Sequence, residues 1–169
     1  MRVGSFEVVS GNLVVSDPCY DLTGHCQQLF ANAKLGRWVV SSQKRNMKNW
    51  GDRCCKLEAV HFDHRKDDID WECVGQIGVD SGQAGIFDTR FYKDDNVVPS
   101  NFEGGLVPEE PWYSLCAQET LSDKGVGTIP YGAVSSSGFG DGTYDVYFGK
   151  TSDNTLIGLR IVFIYDDER

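Results

Sequence analysis

Long apolar runs are missing from this 169-residue chain, and with them any segment that could cross a membrane as a helix. The opening stretch "MRVGSFEVVSGNLVVSDP" breaks its apolar residues with Gly, Ser, Glu and Asn, which fits neither a signal peptide nor an anchor. Proline is scarce, 5 residues against 19 glycines, a balance that favours tight turns between short strands over long helices. Positive charge is in deficit: 16 Lys and Arg face 25 Asp and Glu, for a net charge of −9. Such a surface repels phosphate backbones. The two basic clusters, "QKRNMK" (43–48) and "HRK" (64–66), do not alternate with aromatics as a stacking platform would, so no nucleic-acid partner is expected.

Several chemical signatures are also absent. The six cysteines (19, 26, 54, 55, 73 and 116) contain no C-x2-C pair, and the "HFDH" spacing is not the i, i+4 helical zinc pattern. No metal and no cofactor are expected. The phosphate-loop pattern GxxxxGK[ST] and the GxSxG nucleophile elbow do not occur either. With no secretory signal, the cysteines read as reduced thiols and the compartment as cytoplasmic.

What is present suits one globular domain spanning 1–169: 40% hydrophobic and 12% aromatic residues, enough for a sizeable core. Residues 3–9 and 12–16 read as strands joined by "SGN" as a turn or hairpin. "DPCYDLTG" (17–24) reads as a loop and "HCQQLFANAKLG" (25–36) as a short helix. Strands are predicted at 37–43, 54–62 and 70–80. In the second, Leu57, Ala59 and His61 face one side, with Lys56, Glu58 and Val60 on the other. "DTRFYKDD" can turn once as helix, 96–110 is a long irregular connection, and "PWYSLCAQETL" (111–121) has Pro at the first helical position. The remainder reads as antiparallel sheet. Its last strand has Ile157, Leu159, Ile161, Phe163 and Tyr165 on one face and Val162 and Ile164 on the other, so it should be central and covered on both sides. The tail "DDER" reads as solvated. The fold class is mainly β, a β-sandwich or a partly open, barrel-like pair of antiparallel sheets with one or two short covering helices; the alternative is α+β.

Three polar blocks stand out, two of them rich in glycine. In "VGQIGVDSGQAGIFD" (74–88), Asp80, Ser81 and Gln83 either satisfy a bend or stand at the mouth of a sheet where glycines admit a ligand. In "SSSGFGDGTYDVY" (135–147), Asp141-Gly142 is a hairpin signal, and only alternate serines can face the core, where Asp17 or Asp80 could bond them. "SDPCY" (16–20) sets Cys19 beside Asp17, which disfavours a thiolate. Trp38, Trp71 and Trp112 read as packing, whereas Trp50 lies in a polar loop where an exposed ring would indicate a partner.

The blocks "GNLVVSDPCY", "IGVDSGQAGIFD" and "GAVSSSGFGDGTYDVYFGK", followed by "LIGLRIVFI", occur in that order in a known family. The chain resembles domain-of-unknown-function family 4241 and short uncharacterised bacterial and phage proteins, over most of its length and least in 20–36 and 89–125. The resemblance implies no activity, cofactor or catalytic residue, but it favours reading the three blocks as one site. The residues expected to contact a ligand are Asp17, Cys19, Tyr20, Asp80 and Ser81, with Gln83, Asp88, Ser136 and Asp141. The leading reading is a binding module for a small polar molecule or a protein partner, of unassigned oligomeric state. The alternatives are a hydrolase using an Asp with Cys19 or one of His25, His61 and His64, and an accessory phage or bacterial protein that sequesters a partner or a signalling molecule.

Overall fold

A computed structural model describes residues 1–167. Glu168 and Arg169, the end of the tail read as solvated, lie outside the described residues. The strands are β1 (Arg2–Val8), β2 (Leu13–Ser16), β3 (Gln28–Phe30), β4 (Gly36–Asn46), β5 (Asp52–His61), β6 (Glu72–Val79), β7 (Gln83–Asp88), β8 (Val126–Ile129), β9 (Gly132–Ser136), β10 (Gly142–Lys150) and β11 (Leu156–Val162). The helix α1 spans Pro111–Thr120. Two antiparallel sheets result, ordered β1-β4-β5-β11-β10-β6 and β3-β2-β7-β9-β8. The fold is β-rich, as the turn-heavy composition predicts, and the sheets do not close into a barrel.

One side chain in two along each strand turns inward. Trp38 and Val40 of β4, Leu57 and Ala59 of β5, and Leu159 and Ile161 of β11 meet Leu13, Val15 and Ile86 of the second sheet in a shared core. Leu57 and Ala59 of β5 enter this core, as their face was read, while Glu58 and Val60 on the opposite face are buried as well. β11 is interior and covered on both sides, because residues 62–71 fold back over the outer face. There Ile69 and Trp71 pack where Gly149 and Gly158 leave the sheet bare. A second cluster lies outside the other sheet: Trp112, Leu115 and Cys116 of α1 against Val14, Phe87 and Val134. The helix is entered at Pro111, and the Trp112 N–H donates to Asp95 Oδ1 at 3.0 Å.

Three expectations are corrected. Residues 25–36 form no helix; the short edge strand β3 pairs with β2, and Ala33 N–H donates to the Gly11 carbonyl at 2.9 Å. Local helix propensity is a weak preference, and the open edge of β2 outweighs it. "SGN" is a turn but no hairpin, since β1 and β2 belong to different sheets. Nor do β9 and β10 form the hairpin signalled by Asp141-Gly142. β9 already has β7 and β8 on its two edges, so β10 crosses to the other sheet, between β11 and β6.

Candidate functional site

Three glycine-bearing polar turns lie where the chain passes between sheets. β1 reaches β2 through residues 9–12, β6 reaches β7 through 80–82, and β9 reaches β10 through 137–141. A crossing chain leaves its sheet ladder, so its backbone N–H groups need other acceptors.

Two buried aspartates supply them. Asp17 Oδ2 accepts from the N–H groups of Asp80 (2.8 Å) and Ser81 (2.7 Å). Its Oδ1 accepts from the Ser81 hydroxyl (2.6 Å) and the Cys19 N–H (2.8 Å). Asp88 does the same for the first crossing: Oδ2 takes Val9 N–H (2.7 Å) and Ser10 N–H (2.9 Å), and Oδ1 takes the Ser10 hydroxyl (2.6 Å) and Arg90 N–H (3.0 Å). The arrangement is reciprocal, because β2 and β7 are antiparallel neighbours. The aspartate ending each strand holds the turn that leads into the other.

Around Asp17 the "SDPCY" loop is fastened from several sides. The Tyr92 hydroxyl donates to the Tyr20 carbonyl (2.7 Å), and Lys93 Nζ to the carbonyls of Pro18 (3.3 Å) and Cys19 (3.2 Å). The Tyr20 hydroxyl donates to Asp80 Oδ2 at the surface. The Cys19 thiol is pushed up to about 12 by burial and by its bond and charge interaction with Asp17. It stays protonated at neutral pH, which opposes the nucleophile reading. His61 is occupied as well: Nε2 lies 2.8 Å from the Leu35 carbonyl, and Nδ1 accepts the Asp63 N–H at 3.2 Å. His64 is held low by burial and by the Lys34 ammonium 3.3 Å away.

The blocks do adjoin. Asp17 grips Ser81, and one residue on, the Gly82 carbonyl accepts the Ser137 N–H at 3.1 Å. Gln83 is buried, and its Oε1 accepts the Thr120 hydroxyl (2.7 Å), tying β7 to the end of α1. Ser136 is half-buried at the far end of β9, where its N–H donates to the Gly125 carbonyl (2.8 Å). Asp141 stands exposed and outside the Asp17 network. The buried serines find local partners rather than Asp17 or Asp80: Ser135 donates to the Ser136 carbonyl, and Ser137 to the Gly140 carbonyl.

The sequence marks Trp50, but not the second ring that it meets. Phe139, between Gly138 and Gly140, is 49% exposed, and Trp50, at the tip of the β4–β5 hairpin, is 65% exposed. The rings meet edge to face at 5.7 Å. Gly138 and Gly140 have φ of +56° and +113°, and these left-handed positions turn the backbone so that Phe139 points outward. Beneath the turn, the Tyr144 hydroxyl donates to the carbonyls of Ser137 and Gly140, and its ring packs edge-on against Phe163 at 5.2 Å. The sequence signal was a large apolar residue flanked by glycines in a polar turn.

The family model for proteins of unknown function DUF4241 matches residues 55–161, from β5 through β11. The chain belongs to this family. The matched segment contains Asp80, Asp88 and Phe139, whereas Asp17 and Trp50 precede it. No curated protein and no solved structure matches the chain. No helix among the described residues is long and apolar enough to cross a membrane, and no cluster of three metal-ligating side chains occurs among them.

Proposed function

We propose that this DUF4241 chain is a non-catalytic interaction module, a single domain that engages a protein partner through the Trp50–Phe139 pair. One observation carries the reading: two large rings from separate loops meet in solvent on a turn braced from below. A ring left in water contributes little to its own fold, whereas burying it against a partner recovers the transfer free energy of a large side chain. Bracing by Tyr144 means that little ordering remains to be done on binding. The reading replaces the small polar ligand at Asp17, Asp80 and Asp88 with a protein partner, because the carboxylates of Asp17 and Asp88 already accept bonds from the protein itself. Six free cysteines accord with a reducing, cytoplasmic setting.

The test is affinity purification from the source cells with wild type and a Trp50→Ala/Phe139→Ala double variant of equal melting temperature. The expected result is a defined protein retained by the wild type and lost with the double variant. Retention of the same proteins by both would sink the proposal.

A further inference from the structure

Lys34, in the segment that leads from β3 to β4, holds its ammonium between two side chains. Its Nζ lies 3.3 Å from His64 Nε2 and 3.3 Å from Asp63 Oδ2. The backbone beneath is fixed. Its N–H donates to the Leu156 carbonyl (2.9 Å), and its carbonyl accepts the Trp38 indole N–H (2.8 Å). An ammonium can only donate, so His64 Nε2 is the acceptor and carries the ring's lone pair. Burial, with the charges of Lys34 and His61, holds His64 below its ordinary value of 6.5, so the ring is neutral near pH 7. A neutral imidazole in contact with an amine pairs a nucleophile with a proton acceptor.

The other lysines do not have this partner. Lys93 and Lys44 reach backbone carbonyls, Lys56 the Glu58 carboxylate, and Lys150 the face of Phe148. Carbonyls, carboxylates and rings attract an ammonium, but they are too weakly basic to take its proton at neutral pH. Among the described residues, Lys34 alone lies within hydrogen-bond reach of a ring nitrogen. It can also be reached from outside. Its side chain is 36% exposed, and with His64 it lines a hollow of about 470 Å³ bounded by Thr151, Ser152, Asp153 and Thr155 of the β10–β11 turn. A hollow of this size seats a small molecule.

We propose that Lys34 is a site of acylation by a small activated acyl donor, a thioester or an acyl phosphate, with His64 taking up the proton. Asp63 holds the resting ammonium. After one proton is lost to water, Nζ attacks the carbonyl carbon of the donor. The adduct nitrogen passes a second proton to His64 Nε2. The carbon–sulfur or carbon–oxygen bond to the carrier then breaks, and thiolate or phosphate leaves with the electron pair. The product is a neutral amide, which ends the ion pair with Asp63.

The test incubates the full chain near neutral pH with S-acetyl-N-acetylcysteamine in one arm and acetyl phosphate in the other. Acetylation of each lysine is followed by peptide mass spectrometry. Lys34 is expected to react at least about tenfold faster than Lys48 and Lys124 in one arm or both, since general-base assistance contributes about 10²–10⁴-fold. Exposure alone predicts the opposite order, because Lys48 and Lys124 are exposed and Lys34 is half-buried. The arm that shows the preference names the donor. His64→Gln keeps a hydrogen-bond acceptor but takes no proton. It is expected to bring Lys34 down to the rate of the other two while leaving theirs unchanged, so that they report an intact fold. Lys34 no faster than Lys48 and Lys124 in both arms, or a Lys34 rate indifferent to His64→Gln, overturns the proposal. Neither outcome bears on partner capture by Trp50 and Phe139.

Discussion

The turn at 80–82 and the turn at 138–140 are written in nearly the same vocabulary, and the structure uses them in opposite ways. In the first, the polar atoms turn inward: the Asp80 and Ser81 N–H groups and the Ser81 hydroxyl all go to Asp17. In the second, the polar backbone is met from below by Tyr144, and the side chain between the glycines is pushed into solvent. What separates them is the residue waiting underneath. A buried carboxylate can take up several N–H and hydroxyl donors and draws the turn onto itself. A tyrosine offers one hydroxyl donor and a flat ring, which props the turn and leaves its apex free.

The sharpest way to break the comparison is Asp17→Ala. It leaves three N–H groups and a hydroxyl without their acceptor, and should cost about 3 kcal/mol or more in chemical denaturation, with Asp17→Asn recovering part of it. A loss below about 1 kcal/mol would show that the inward turn is solvated instead of clamped. Tyr144→Phe removes the prop from the outward turn while keeping the ring. A loss of about 1 kcal/mol is expected, together with faster hydrogen exchange confined to residues 137–142. Phe139→Ala should change stability by no more than about 0.5 kcal/mol, as for other exposed positions, yet weaken partner binding by about 2 kcal/mol. A marked loss of stability would make Phe139 part of the fold and remove its functional role.

The smallest effect is confined to alkaline solution. The folded Cys19 thiol holds its proton up to about 12, whereas the unfolded chain releases it from its ordinary value of 9.0. Between those values the unfolded state binds fewer protons, so stability must fall as pH rises through that window. Denaturation midpoints followed from neutral pH upward should show this fall in the wild type and a shallower one in Cys19→Ser.

Much of the architecture was legible in the residues, and the errors share a cause. β5, β6 and β11 announce themselves by alternation and by β-branched runs, and α1 by its proline and its Trp112, Leu115 and Cys116 face. The failures are partner choices. "QLF" pairs as β3 because β2 has an open edge, and β10 leaves β9 because both of that strand's edges are taken. Neither fact is local. At the site, the sequence marks the polar residues, but whether a polar atom is offered or consumed depends on what lies across the molecule. Asp17 and Ser81 are 64 positions apart.

By itself, then, the sequence determined the class of object: a β-rich chain with frequent turns, a net charge of −9 and three polar blocks, because composition and period act over a few residues. The tertiary structure alone decided that two of the aspartates are internal braces, that Trp50 and Phe139 meet in solvent, and that the Lys34 ammonium lies against His64. Those outcomes rest on distances between residues far apart in the chain, which only folding brings within hydrogen-bond or van der Waals reach.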